Sequence, residues 1–97
     1  MINSIKDAVK AVGQMHNETG MSQGIYVIEE CAELTKELTK KDRGKGDDAH
    51  IIEEACDVLT TVFVLLDDLA VSEDEVRRNI LFKCNRALER YQNKKEI

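Results

Sequence analysis

The sequence predicts an all-α protein of four helices, and three observations carry that expectation. The 97-residue chain contains no proline, 34% of it is charged with Ala, Leu, Glu and Lys prominent, and its apolar residues recur at steps of three and four. This length makes one domain, residues 1–97, near the size where a second subunit helps to bury apolar surface. A homodimer or a dimer of dimers (homotetramer) is therefore expected.

The first helix is expected from Ile2 to about His16, where Ile5, Ala8, Val9, Val12 and Met15 form one apolar stripe. Gly13 should leave it frayed or bent, and Asn17 to Gly20 should turn the chain. His16, at the helix end, could serve a nucleotide base or a metal, but a lone His there is read as a solvated or capping residue. The second helix starts after Ser22, a plausible N-cap, and runs to about Lys40. One of its sides holds Ile25, Ile28, Cys31, Ala32, Leu34, Thr35 and Leu38, and the other holds Tyr26, Glu30, Glu33 and Glu37. The loop from Lys40 to Asp47 is basic and contains two glycines, which suits a solvated turn or a mobile flap over a polyphosphate.

The third helix begins near Asp48 and reaches about Leu69, and beyond Asp57 it is apolar on nearly every side, so it must be surrounded. Ser72 and Glu75 form a capping box that opens the fourth helix. Val76, Ile80, Cys84, Ala87 and Tyr91 make its stripe, flanked by Asn79, Lys83, Arg86 and Arg90. The turn before it puts Lys83 level with Leu59 and Arg86 level with Cys56.

Two acidic words organise the middle of the chain, EECAE at Glu29–Glu33 and EEACD at Glu53–Asp57. Residues three apart share a helix face. A short connection folds the second and third helices back on each other, and residues whose numbers sum to 87 then lie at one height. Glu30 meets the level of Asp57, and Glu33 that of Glu54. Four carboxylates with no interleaved Lys or Arg call for a cation, and an all-oxygen set selects Mg²⁺ or Mn²⁺ over zinc. Cys31 and Cys56 also share a height and are read as small core residues beside the site.

Composition excludes other classes. A net charge of −5 opposes nucleic acid and anionic membrane alike. Three cysteines without repeated CxxC spacing fit neither a disulfide framework nor a zinc site. Residues 1–20 lack a basic segment followed by an apolar one, and the longest apolar run, Val58–Leu66, is too short to cross a bilayer. A cytoplasmic protein without membrane partners is expected.

Over residues 22–90 the pattern resembles the MazG-like all-α nucleoside triphosphate pyrophosphohydrolases. The resemblance rests on E-x-x-E (Glu30, Glu33), an intervening segment of 20 residues, E-x-x-D (Glu54, Asp57) within IIEEACDVL, and K-x-x-R (Lys83, Arg86) on the last helix. It implies a four-helix oligomeric domain that hydrolyses a (d)NTP to (d)NMP and pyrophosphate with Mg²⁺, removing unwanted nucleotides. The ligands carried over are Glu30, Glu33, Glu54 and Asp57, with Lys83, Arg86 and Arg90 as phosphate contacts. Glu33 and Glu54 are the candidate catalytic residues, Glu33 as a general base. No Trp precedes the second helix, which leaves any base contact to Tyr26.

EEACDVLTTVFVLL is also similar to the histidine-pathway phosphoribosyl-ATP pyrophosphohydrolases of the same superfamily. Thr60 and Thr61 stand where that branch carries an aromatic-His pair, and the Lys/Arg row favours the MazG-like branch. A third reading is a helical dimer that binds nucleotides without cutting them, or has only a structural role.

Overall fold

Residues 4–95 are described in a computed structural model of the chain. They form four helices, α1 (Ile5–Thr19), α2 (Gln23–Asp42), α3 (Asp48–Asp68) and α4 (Glu73–Lys95), with no strand among the described residues. The expected start of α1 at Ile2 lies outside them.

Local chemistry sets the boundaries. Ser4 caps α1 by accepting a hydrogen bond from the Asp7 N–H at 3.1 Å. The helix passes through Gly13 without ending and stops only at Gly20, in the left-handed region at φ 75°. Gly13 is where α1 approaches α3: a Cβ built there would lie 3.6 Å from Cγ1 of Val64. Asn17 to Thr19, expected in a turn, belong to the helix, and the reversal is tighter than the sequence suggested. Ser22 occupies the N-cap position of α2 without a side-chain cap bond, whereas Asp47 caps α3 by accepting from the His50 N–H at 2.9 Å. The capping residue expected before α4 is in place, with the Glu75 N–H donating to Ser72 Oγ at 3.1 Å. Between α3 and α4, Ala70 takes φ 58°, a conformation that favours glycine.

The α2–α3 turn is held closed. Lys41 pairs with Asp48, Lys40 reaches Glu37 at 3.1 Å, and the Gly44 and Lys45 amides donate to the carbonyls of Lys41 and Lys40 at 2.9 Å each. Gly46 lies so close that a Cβ there would fall 2.7 Å from the Lys41 nitrogen.

Packing is concentrated along α3, which α2 accompanies as an antiparallel partner and α1 crosses near Val64. Val64, 2% exposed, and Val9 are the buried apolar residues, joined by the polar His16, Gln23 and Thr61. The expectation that His16 is solvated is corrected: it is buried, with Nδ1 2.8 Å from Oε1 of Gln23, and its ring stacks on Tyr26 at 3.5 Å. The stripe expected to be buried on α4 is also corrected, because α4 buries no residue within this chain. It meets the rest only near its start, where Val76, Ile80 and Leu81 face Val9, Phe63 and Leu66 across a groove of about 890 Å³. The remainder projects away, so the expected levels of Lys83 with Leu59 and Arg86 with Cys56 bring no packing. Within one chain α3 is covered only in part, with Ile52, Leu59 and Phe63 exposed.

Candidate active site

The α2–α3 pairing turns the acidic side of α2 inward. Val27, Glu30, Leu34 and Glu37 are half-buried, as is Tyr26 beside α1, while Ile25, Ile28 and Leu38 are exposed. On α3 the half-buried positions include Ile51, Glu54, Ala55 and Val58. Carboxylates from both helices thus meet in the seam rather than dispersing into solvent.

Glu30, Glu54 and Asp57 each place a carboxylate oxygen within 4.8 Å of the others. Glu30 and Glu54 are half-buried and Asp57 is exposed, which makes one side of the cluster open. Among the described residues no ion pair joins any of the three to a Lys or Arg. The charges act on one another instead. Burial, then Asp57, Glu54 and Glu33, holds the Glu30 carboxyl above its ordinary range. Burial, then Asp57, Glu33 and Glu37, does the same to Glu54.

Glu33 lies outside the group of three yet repels both Glu30 and Glu54. It is exposed at the rim. Glu37 is a further member that the sequence placed on the same stripe without a role. Its side chain is 13% exposed, pairs with Lys40, and adds to the repulsion on Glu54. Its spacing of seven from Glu30 was the available signal.

Tyr26 is committed elsewhere on the stripe. Its hydroxyl lies 2.5 Å from Thr19 Oγ1 and its ring lies parallel to His16, tying the end of α1 to α2. Lys83, Arg86 and Arg90 are exposed on α4, and the structure does not bring them to the carboxylates within one chain. Arg86 packs its guanidinium 5.5 Å from the centre of the Phe82 ring. Cys31, Cys56 and Cys84 are free and exposed, so Cys31 and Cys56 do not fill core gaps within this chain.

With this geometry in hand, the family model described as the MazG nucleotide pyrophosphohydrolase domain matches residues 18–92. The chain belongs to the MazG family. No curated protein and no solved structure matches it. The match spans both acidic words and most of α4, while residues 1–17, which make up most of α1, fall outside it. An all-α MazG domain is what the four helices form. Among the described residues no helix is long and apolar enough to cross a membrane.

The acid cluster suits a divalent cation on chemical grounds. Hard ions take oxygen ligands, and clustered carboxylates with raised proton affinity and no protein counter-charge are relieved by one. Glu30, Glu54 and Asp57 are placed to hold such an ion, with Glu33 within electrostatic reach.

Proposed function

We propose that this MazG domain is a Mg²⁺-dependent nucleoside triphosphate pyrophosphohydrolase that converts a (d)NTP to (d)NMP and pyrophosphate, in the removal of unwanted nucleotides. The convergence of Glu30, Glu54 and Asp57 without a counter-charge is the observation that carries this reading. Mn²⁺ would serve the same oxygen set.

Bound there, the ion would neutralise phosphate oxygens and lower the pKa of a water. The chain's own groups do the rest. Glu30, Glu54 and Asp57 would hold that ion in place, and Glu33, exposed at the rim, is available to take the proton of the attacking water. Lys83, Arg86 and Arg90 offset charge on the departing pyrophosphate. Because α4 stands off the hairpin, these cations reach the carboxylates by movement of α4 or from a second chain. Tyr26, already stacked on His16, would present only a ring edge to a base.

The test is pyrophosphate release from a panel of ordinary and modified (d)NTPs, with phosphoribosyl-ATP included. Mg²⁺-dependent release that falls at least about 100-fold in Glu54→Gln, with helical content intact, is the expected result. Unchanged activity in that variant would reject the site. Binding without product in every case would favour a non-catalytic nucleotide-binding dimer, and hydrolysis confined to phosphoribosyl-ATP would move the chain to the histidine-pathway branch.

A further inference from the structure

The hairpin that carries the carboxylates is tied at both ends, and only one tie is covalent. At one end the α2–α3 turn is closed, with Lys41 on Asp48. From Glu30 to Asp42, the last residue of α2, the helix axis runs about 18 Å. A hinge of about 3° at the turn would therefore part the carboxylates by about 1 Å, twice the roughly 0.5 Å within which a binding constellation must be held. Repulsion among Glu30, Glu54 and Asp57 favours that opening.

The other end is closed by α1. The register that sets Glu30 against Asp57 sets Gln23 level with Val64 and Tyr26 level with Thr61, beyond the carboxylates on the side away from the turn. Here the last turns of α1 reach both helices at once. Gly13 brings α1 onto Val64 of α3. One turn later His16 stacks on Tyr26 of α2, with ring centres 3.5 Å apart and planes 6° from parallel. Gln23 uses both ends of its amide: Nε2 donates to Asn17 Oδ1 at 3.1 Å, and Oε1 lies 2.8 Å from His16 Nδ1. Thr19 Oγ1 donates to the His16 carbonyl at 2.6 Å, which leaves the Tyr26 hydroxyl to donate to Thr19 at 2.5 Å. Among the described residues, the buried ones are His16, Gln23, Thr61 and Val64 at this level, and Val9 farther along α1. The deepest burial thus lies at the crossing and not between the carboxylates. A polar set of this kind fixes position, because a slip of either helix would leave buried donors and acceptors unpaired.

We propose that His16, with Thr19, Gln23 and Tyr26, is a positioning device for the cation site, holding the start of α2 onto α3 by way of α1 so that Glu30 stays within reach of Glu54 and Asp57. His16 acts through Tyr26, which stands one turn before Glu30 on the same side of α2, and itself touches neither ion nor substrate. The role presupposes the cation site proposed for the carboxylates. It falls largely on α1, most of which lies outside the family match.

The experiment is Mn²⁺ binding to the full chain, read by electron paramagnetic resonance without nucleotide and well below Tm. His16→Ala, with helical content intact, should bind Mn²⁺ about 10-fold more weakly than the parent. Thr19→Ala removes only the hydroxyl that joins His16 to Tyr26 and should weaken binding by a smaller factor. Ser72→Ala removes the cap of α4 and should lower Tm while leaving Mn²⁺ affinity at the parent value. Parent-like affinity in folded His16→Ala would overturn the proposal, as would parent-like affinity in Thr19→Ala where His16→Ala does not fold. An equal loss in Ser72→Ala would overturn it too, because affinity would then follow stability alone. Glu54→Gln separates the two readings. Mn²⁺ binding that is lost in Glu54→Gln but kept in His16→Ala removes the positioning role alone, whereas a parent protein that binds no Mn²⁺ removes the cation site and the positioning role together.

Discussion

Glu30 on α2 and Asp57 on α3 bring carboxylate oxygens within 4.8 Å of each other across an antiparallel helix pair, with Glu54 completing the group. Their helices pack along each other, so the backbone keeps the three carboxylates at one height and leaves protonation or a bound cation to relieve the repulsion. The MazG domain thus holds a concentration of negative charge by means of its own backbone.

That charge has a pH signature. Glu30 and Glu54 are raised, first by burial and then by Asp57, so the folded chain binds more protons than the unfolded one. Stability from these groups is full below the ordinary carboxylate range and is lost as pH rises through the raised values. In chelator, Tm should therefore increase on acidification from neutrality to about pH 5. Mg²⁺ should raise Tm at neutral pH and do so less at the acidic end, and Asp57→Asn should flatten both trends. Asp47 works in the opposite sense. The His50 N–H holds its carboxyl below the ordinary range, so its contribution fades at lower pH, as pH falls through that lowered value. A calorimetric pH series with and without Mg²⁺ checks all three.

Two glycines should respond differently to alanine. At Gly13 the new methyl would sit 3.6 Å from Val64 Cγ1, an ordinary contact in mid-helix, and the protein should gain up to about 1 kcal/mol. At Gly46 the methyl would meet the Lys41 backbone at 2.7 Å, so the turn must open and the protein should lose roughly 1–3 kcal/mol. Urea unfolding of the two variants measures the contrast.

Ala70 carries φ 58° at the α3–α4 junction. Left-handed backbone costs an L-residue about 1–2 kcal/mol, and glycine escapes that cost at some loss of unfolded-state restriction. Ala70→Gly should stabilise by up to about 1 kcal/mol, visible as a higher denaturation midpoint with an unchanged m-value.

Tyr26 separates packing from substrate recognition. Tyr26→Phe keeps the stack on His16 and removes the bond to Thr19, costing about 1 kcal/mol with little change in KM. Tyr26→Ala removes the stack as well and should cost about 3 kcal/mol. A large KM increase in Tyr26→Phe would instead place the hydroxyl on the nucleotide.

Helical periodicity, the α4 cap and the antiparallel register were legible because they depend on near neighbours in the chain. Ser72 acts within one turn, and the pairing of Glu30 with Asp57 follows from counting outward from a short loop whose length leaves little freedom. The caps at Ser4 and Asp47 were not singled out, and Ser22, which was, makes no side-chain cap bond. The burial of His16 was not legible in the same way. It depends on where α1 lies against α2, and only the packed arrangement supplies Gln23 and Tyr26 as partners for a ring that would otherwise be left in water.

The placement of α4 marks the boundary between the two kinds of information. Its sequence specifies a helix with an apolar stripe and a basic flank, since both follow from the spacing of residues along 23 positions. Whether that stripe turns back onto α3 or away from it is a contest between surfaces distant in the chain, which spacing cannot weigh. Tertiary structure leaves Ile80, Leu88 and Tyr91 exposed while closing the carboxylates into the α2–α3 seam. The difference is physical: a short closed loop fixes where α3 lies against α2, whereas the turn through Ala70 sets only the direction in which α4 departs.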